Sequence, residues 1–283
     1  MNTHSRYAVN CSMLFTELPL LLRPQAARDA GFEAIEFWWP FADAVPGDLE
    51  VAEFVRAVKN SGVALIALNF AGGDLPNGER GLLSDPAQST AFRDNVDVAV
   101  GIAEQLGTKA FNALYGNRLD HLSPQLQDDL AVENLAHAAH AVAHLGAVVL
   151  LEPLSGVADY PLKTAGDVLA VINRVRHDTG VTSLRLLADL YHLQVNGEDV
   201  AAVIDAHIVD IGHVQIADAP GRGAPGTGTM DIAGHLAQLE DRGYRGYVSL
   251  EYQAAGSEPF AWVRDSRRTA DEPGPRGADH GGD

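Results

Sequence analysis

The stretch GAVVLLE, residues 146–152, joins a glycine to a short apolar run that ends on a carboxylate. A glycine in this position is typical of the residue just past a helix, and residues 147–152 have the pattern of a buried β-strand. The same order recurs along the chain, which predicts a parallel sheet built from strand–helix units. The glycines expected just past helices are Gly31, Gly62, Gly107, Gly146 and Gly243.

Eight strands are expected in all, with seven helical stretches between them. The eight-fold alternation predicts an α/β fold of the (β/α)8 TIM barrel type in a single domain. An open doubly wound sheet is disfavoured because no glycine-rich phosphate loop follows the first strand. The predicted strands are 7–11, 34–38, 64–69, 110–114, 147–152, 184–189, 211–216 and 247–251, and the helical stretches lie near 20–30, 49–60, 87–106, 124–145, 164–177, 198–206 and 231–241.

Composition limits the classes of function. The chain has 20 Lys and Arg against 38 Asp and Glu, a formal charge of −18 that would repel the phosphates of nucleic acids. The single cysteine, Cys11, excludes an internal disulfide. The N-terminus has no apolar leader and no run approaches the roughly 20 residues of a membrane span. We therefore expect a cytoplasmic protein with no nucleic-acid or membrane partner, and a homo-oligomer stays open.

The two ends of the chain differ in composition. Residues 1–264 contain all the predicted strands and helices and are expected to form the barrel domain. Residues 265–283 are rich in glycine, proline and charged side chains and nearly lack apolar ones. Such a segment cannot bury enough apolar surface to offset its loss of conformational entropy, so a disordered tail is expected there.

Four of the predicted strands end in an oxygen-bearing side chain: Glu152, Asp189, Gln215 and Glu251. Because the carboxyl ends of all strands of a parallel barrel meet on one face, these side chains are expected to share a pocket. Three carboxylates in one pocket repel each other unless a cation or protons offset the charge. The set therefore predicts a divalent-metal site, and its oxygen ligands favour Mg²⁺ or Mn²⁺ over zinc.

Other side chains are predicted to contact a substrate at the same face. Glu36 and Asn69 end the second and third strands, and His192 lies three residues after Asp189. The long loop after the third strand contains Arg80, and the loop after the seventh contains Arg222. Arginine binds carboxylates through two parallel hydrogen bonds, so either arginine is a candidate for holding an acidic substrate.

The chain resembles the hydroxypyruvate isomerases, a family within the xylose isomerase-like TIM barrels. The resemblance implies a metal held by Glu152, Asp189, Gln215 and Glu251, with Glu152 and Glu251 as the acid–base pair. It implies that hydroxypyruvate and tartronate semialdehyde are interconverted through an enediolate, so the expected partner is a small hydroxy-oxo acid. The matching segments, which span about residues 7 to 264, are NCSMLF (10–15), GFEAIEFWWP (31–40), NFAGGD (69–74), GERG (78–81), EP (152–153), DLYH (189–192), GHVQIAD (212–218), RG-PGTG (222–228) and EY (251–252).

Other functions stay open on the same pattern. Gly221, Ala224 and Thr229 depart from the family pattern in the loop after the seventh strand, so a 2-oxo-tetronate isomerase is an alternative. A ketose epimerase, a sugar isomerase and a non-catalytic barrel that binds sugar acids are further candidates. A DNA-repair endonuclease is disfavoured by the net charge and by Gln215, because that class needs a histidine-rich site for several zinc ions.

Overall fold

A computed structural model describes residues 6–256 and 258–263, and its strands form a closed parallel barrel in the order β1 to β8. The barrel predicted from the sequence is confirmed, and each strand pairs with its neighbour along the chain while β8 pairs with β1. The predicted tail, 265–283, lies outside the described residues. The strands are β1 Arg6–Asn10, β2 Ala34–Phe37, β3 Ala64–Asn69, β4 Ala110–Asn112, β5 Val148–Leu151, β6 Leu184–Asp189, β7 Ile211–Ile216 and β8 Tyr247–Leu250.

Helices follow the strands and cover the outside of the barrel. All five glycines predicted to follow helices have positive φ angles, between 61° and 95°, as a left-handed C-terminal position requires. Among the described residues, no helix is long and apolar enough to cross a membrane. The helices are α1 Arg23–Asp29, α2 Asp48–Ser61, α3 Ser89–Leu106, α4 Pro124–Ala143, α5 Ala165–Thr179, α6 Leu190–Val195, α7 Val200–His207 and α8 Ile232–Asp241, with 3-10 turns at Leu20–Leu22 and Leu75–Asn77.

Helix α6 is absent from the sequence prediction, and it begins directly after β6. The Asp189 carboxylate caps it by accepting hydrogen bonds from the backbone N–H groups of Tyr191 (2.8 Å) and His192 (3.3 Å). Leu190 and Leu193 on this helix are fully buried. The short helix therefore fixes where His192 lies relative to the end of β6.

Every strand carries a polar side chain at or next to its C-terminal end, and these eight residues are called the strand-end ring below. Strand pairing brings Asn10 next to Glu36 and Asp189 next to Gln215 in register. None of the eight side chains is more than 9 % exposed. Buried polar groups generally need hydrogen-bond partners, so the side chains of this ring are expected to have them. The ring consists of Asn10, Glu36, Asn69, Asn112, Glu152, Asp189, Gln215 and Glu251.

The loop after β3 is held against the loop after β4 by backbone hydrogen bonds. Gly116 N donates to Arg80 O (2.9 Å) and Ser84 N donates to Tyr115 O (3.2 Å), while Gly81 N donates to Gly72 O (2.8 Å) within the loop after β3. Gly81 has φ +116°, and a Cβ atom built on it would lie 2.0 Å from the carbonyl oxygen of Leu114. Only glycine fits this approach, so the backbone on both sides of Arg80 is fixed.

We expect Gly81→Ala to destabilise the protein by about 2 kcal/mol more than Gly78→Ala, because the added methyl group would overlap the Leu114 backbone. Gly78 is a matched control: it lies in the same loop with φ +100°, but nothing lies within 4 Å of an added Cβ atom. The free energy of unfolding in urea measures both variants. Equal losses would contradict the close approach at Gly81.

Candidate active site

A cavity of about 520 Å³ opens at the C-terminal face of the barrel, over the strand-end ring. Four of the five predicted substrate contacts line it: Asn69, Arg80, His192 and Arg222. Asp189 and Gln215 lie deeper, at 0 % and 2 % exposure. The full lining is Trp38, Asn69, Leu75, Pro76, Arg80, Leu114, Glu152, Leu154, Ser155, Gly156, Val157, His192, Arg222 and Glu251.

Glu152 presents one engaged and one available carboxylate oxygen. Its Oε2 accepts a hydrogen bond from Asn112 Nδ2 at 2.7 Å, while Oε1 lies 3.8 Å from His192 Nε2, too far for a hydrogen bond. Burial and then the nearby Asp189 carboxylate raise the pKa of Glu152 to about 8, although the Asn112 hydrogen bond opposes the shift. In the metal-free protein the carboxyl group therefore holds its proton at neutral pH.

The hydrogen bonds of His192 define its tautomer. Its Nδ1 accepts from the backbone N–H of Ser155 at 3.1 Å and lies 2.7 Å from Ser155 Oγ. Burial lowers the pKa of His192 to about 4, against the pull of Asp189, so the ring is neutral with its hydrogen on Nε2. Nε2 faces the Asp189 carboxylate at 3.6 Å. In this tautomer His192 is a hydrogen-bond donor toward the cavity, as a substrate contact requires.

Arg222 lies between two carboxylates of the ring. Its Nη2 is 3.5 Å from Asp189 Oδ2 and donates a short hydrogen bond to Glu251 Oε1, while the guanidinium lies 5.4 Å from the centre of the Tyr191 ring. The loop that carries Arg222 is organised by the buried Asp218, whose carboxylate accepts hydrogen bonds from the backbone N–H groups of Gly226 (2.8 Å) and Met230 (3.0 Å). The positive charge of Arg222 therefore partly offsets the repulsion between the buried carboxylates of Asp189 and Glu251.

Glu251 has partners on both oxygens, since Asn10 Nδ2 donates to its Oε2 at 2.8 Å. Burial raises the pKa of Glu251 well above its ordinary value, and Arg222 opposes this shift. Glu152 and Glu251 therefore face the same cavity in different environments. Glu152 has a free oxygen, whereas Glu251 is fixed from two sides.

Glu36 lies beneath the cavity and does not line it. Its Oε1 accepts from Asn10 Nδ2 (2.9 Å) and Gln215 Nε2 (2.7 Å), and its Oε2 lies 2.6 Å from His213 Nε2. Burial by itself would raise the pKa of Glu36, but the charge and hydrogen bond of His213 bring it below its ordinary value. The expected substrate contact of Glu36 has no support in this geometry, because the protein already uses both oxygens.

The residues present fit a divalent cation. Potential ligand atoms of Glu152, Asp189 and His192 lie within 4.8 Å of one another, and no other such group of His, Cys, Asp and Glu occurs among residues 6–256 and 258–263. Because His192 Nε2 carries a hydrogen in the tautomer described above, the two carboxylates are the ligands that this group offers. Gln215 Oε1 is buried without any hydrogen-bond partner. A buried amide oxygen without a partner is costly, and a cation would satisfy it. Glu251 lies outside this group of three. Arg222 forms ion pairs with both Glu251 and Asp189.

Two members of the strand-end ring escaped the sequence analysis: Asn10 and Asn112. Each donates from Nδ2 to one of the predicted acid–base carboxylates, Asn10 to Glu251 and Asn112 to Glu152. The predicted strands 7–11 and 110–114 run past these two residues, whereas the structure ends β1 at Asn10 and β4 at Asn112. Asparagine is also common in turns, so it carries less weight at a strand end than a carboxylate does.

A second cavity of about 530 Å³ lies beyond Leu75 and Pro76, which line both cavities. Its wall includes Trp39, Phe41 and Glu79, but none of the strand-end ring. The carboxyl groups and the histidine described above therefore lie at the cavity over the ring and not at this second cavity.

Comparison with known proteins gives the family. A family model described as xylose isomerase-like TIM barrel matches residues 24–272. A Streptomyces coelicolor protein provisionally named hydroxypyruvate isomerase is 48% identical over 273 residues, covering 94% of this chain and 98% of its own. The hydroxypyruvate isomerase of Escherichia coli is 31% identical, covering 88% of this chain and 93% of its own. The chain belongs to the xylose isomerase-like TIM barrel family, in the group that contains the hydroxypyruvate isomerases.

Other relatives share the barrel under different names. The 2-oxo-tetronate isomerase of Cupriavidus necator is 32% identical, covering 92% of this chain and 97% of its own. A Brucella melitensis crystal structure titled AP endonuclease, family 2, is 30% identical with a TM-score of 0.82, covering 92% of this chain and 98% of its own. The E. coli 3-keto-D-glucoside 4-epimerase has a TM-score of 0.72 at 21% identity, covering 94% of this chain and 98% of its own, and shows the shared fold alone.

The metal-free protein is expected to lose stability as pH rises from 6.5 to 8. Over this range folded Glu152, with a pKa of about 8, keeps a proton that the unfolded chain, with a pKa near 4.5, has lost. The loss reaches up to about 1.4 kcal/mol per pH unit for one carboxyl group. His192 has a lowered pKa, so its contribution is lost only as pH falls from 6.5 toward 4, outside this window.

The measurement is the free energy of unfolding by urea at several pH values, after treatment with a chelator. Glu152→Gln carries no titrating group at this position, so its stability should fall less steeply with pH. Glu251 still contributes in that variant, because its pKa is also raised. An equal slope in the wild type and in Glu152→Gln would contradict the assignment.

Proposed function

We propose that this protein is a metal-dependent isomerase that interconverts hydroxypyruvate and 2-hydroxy-3-oxopropanoate (tartronate semialdehyde). The observation that carries the proposal is the pair Glu152 and Glu251, two buried carboxyl groups that line one cavity together with two arginines. The hydroxypyruvate isomerases among the relatives, matched along nearly their whole length, support this substrate. The reaction moves one proton between neighbouring carbons, which an acid–base pair can perform.

Glu152, Asp189, Gln215 and Glu251 would hold the cation in this proposal. Three carboxylates and an amide form an oxygen-only set, which favours Mg²⁺ or Mn²⁺. When bound, such a cation polarises the substrate's oxygens and stabilises the negative charge that develops during proton transfer. His192 is left out of the set, because its Nδ1 accepts from Ser155 N–H and its Nε2 carries the hydrogen.

Glu152 and Glu251 would divide the proton transfer. The two isomers of the substrate differ in which of two adjacent carbons carries the carbonyl group. A proton therefore leaves one carbon and another is added to its neighbour, while the hydroxyl proton passes from one oxygen to the other. Glu152 suits the first transfer because its Oε1 has no hydrogen-bond partner, and ionisation of its carboxyl group makes it a base. Glu251, oriented by Asn10 and Arg222, suits the return of the proton.

The charged end of the substrate has candidate partners on the cavity wall. Arg80 uses Nη1 for the carbonyl oxygens of Leu75 and Glu79, so its position is fixed by the loop that carries it. Arg222 has a buried Nε with no hydrogen-bond partner. Arginine recognises carboxylates through parallel N–H groups, and His192 Nε2 can donate to a further substrate oxygen.

A 2-oxo-tetronate isomerase is the second candidate. The cavity of about 520 Å³ exceeds the needs of a three-carbon acid and leaves room for a fourth carbon. The Cupriavidus necator relative carries that name at an identity close to that of the E. coli hydroxypyruvate isomerase. The chemistry at Glu152 and Glu251 would be the same for both substrates, so the loops around Arg80 and Arg222 would decide between them.

An endonuclease function is disfavoured despite the Brucella melitensis neighbour. The net charge of −18 opposes the approach of a polyanion, and the described residues contain one group of potential metal ligands with a single histidine. Gln215 places a neutral amide where a multi-zinc site would need a histidine. A nicking assay on DNA with an abasic site tests this alternative directly.

The wild-type protein is expected to isomerise hydroxypyruvate with Mg²⁺ or Mn²⁺ and to lose activity after chelation. Glu251→Gln and Glu152→Gln should each lower kcat by about 10²- to 10⁴-fold, because each removes one proton-transfer group. A coupled assay of hydroxypyruvate and of 2-oxo-tetronate gives kcat/KM for both substrates, and Mn²⁺ binding is measured on the same samples.

Glu53→Gln is the matched control, since Glu53 is an exposed glutamate on α2 and should behave as the wild type. Near-wild-type turnover by Glu251→Gln with metal bound would exclude the two-glutamate mechanism. A higher kcat/KM for 2-oxo-tetronate would reassign the substrate. Metal binding without turnover of either compound would indicate a binding barrel.

A further inference from the structure

The Gln215 side chain has one satisfied end and one unsatisfied end. Its Nε2 donates to Glu36 Oε1 at 2.7 Å, while its Oε1 is buried with no hydrogen-bond partner. The residue is 2 % exposed, so solvent hardly reaches the amide. An amide in this position can adopt two orientations that exchange its oxygen and its NH₂ group.

Glu36 selects between these orientations. Its Oε1 accepts two hydrogen bonds, from Gln215 Nε2 and from Asn10 Nδ2, and its Oε2 is held by His213 Nε2 at 2.6 Å. His213 Nε2 is also 3.1 Å from Ser249 Oγ. Because His213 and Ser249 lie two residues before Gln215 and Glu251 on their strands, they occupy the layer directly beneath the ring. The carboxylate is thus fixed on both sides.

We infer that Glu36 is a positioning residue, which turns the Gln215 oxygen toward the cation site by accepting the hydrogen bond of its NH₂ group. The inference rests on the metal site of the proposed function. A reversed amide would place its oxygen against the Glu36 carboxylate and its N–H groups toward the cation. Both contacts are repulsive, so the fold allows one orientation before any metal binds.

The same carboxylate also reaches the acid–base pair. Asn10 Nδ2 bridges Glu36 Oε1 at 2.9 Å and Glu251 Oε2 at 2.8 Å. The Glu36 carboxylate therefore positions Gln215 on β7 directly and Glu251, just after β8, through Asn10. Glu36 does not line the cavity, so its effect passes through these two side chains.

Two conservative variants separate the position of the Glu36 acceptor from its charge. Glu36→Gln removes the charge but keeps an oxygen at the same distance, if its NH₂ group faces His213. Glu36→Asp keeps the charge but withdraws the carboxylate by one methylene group, so it cannot reach both His213 and Gln215. The readout is the affinity of chelator-treated protein for Mn²⁺, measured by electron paramagnetic resonance of the free ion, with circular dichroism to confirm folding.

Glu36→Asp is expected to weaken Mn²⁺ binding by about 10- to 100-fold, and Glu36→Gln by less than about tenfold. In a Gln215→Leu background, Glu36→Asp should cause a smaller further loss than in the wild type, because only the path through Asn10 to Glu251 remains. Equal losses in the two Glu36 variants, or additive losses with Gln215→Leu, would overturn the inference. So would a tenfold loss in folded Glu36→Gln, which decides the matter even if Glu36→Asp does not fold.

The Mn²⁺ measurement does not depend on turnover. A wild-type protein that binds no Mn²⁺ would overturn this inference. A protein that binds Mn²⁺ as described but isomerises neither hydroxypyruvate nor 2-oxo-tetronate would leave the role of Glu36 intact and remove the proposed activity.

Discussion

Four carboxyl groups of the strand-end ring are buried within one barrel mouth, and each must be compensated. His213 holds Glu36, Arg222 lies against Asp189 and Glu251, and burial raises the pKa of Glu152 to about 8 so that it retains a proton. Two amide oxygens of the ring, Gln215 Oε1 and Asn112 Oδ1, have no hydrogen-bond partner after these pairings. Gln215 Oε1 and the carboxylates beside it are oxygen donors of the kind that a divalent cation binds.

The barrel stabilises a fold in which several carboxyl groups are buried close together. Backbone pairing from β1 round to β8 supports the ring, and the helices outside supply the apolar burial that offsets polar groups inside. The barrel mouth has two layers: Glu36, His213 and Ser249 lie below the cavity, whereas Glu152, Glu251 and the two arginines line it. The lower layer orients side chains, and the upper layer is where substrate chemistry is proposed.

Much of this arrangement could be predicted from the sequence, because strand ends converge on one barrel face whatever the loops do. Six ring members were identified in this way. The depth of each side chain could not be predicted, since it depends on register: the pairing of β2 with β3 shifts between Ile35 and Glu36, and Glu36 lies below the cavity. The tautomer of His192 likewise depends on Ser155, a contact across 37 positions of the chain.

The most direct test of a cation at this ring is a crystal structure of Mn²⁺-loaded protein with anomalous diffraction at the manganese edge. The account predicts a single strong anomalous peak in the barrel mouth, about 2.0 to 2.6 Å from Gln215 Oε1 and from carboxylate oxygens of Glu152, Asp189 and Glu251. Absence of a peak, or a peak whose ligands exclude Gln215, would contradict it.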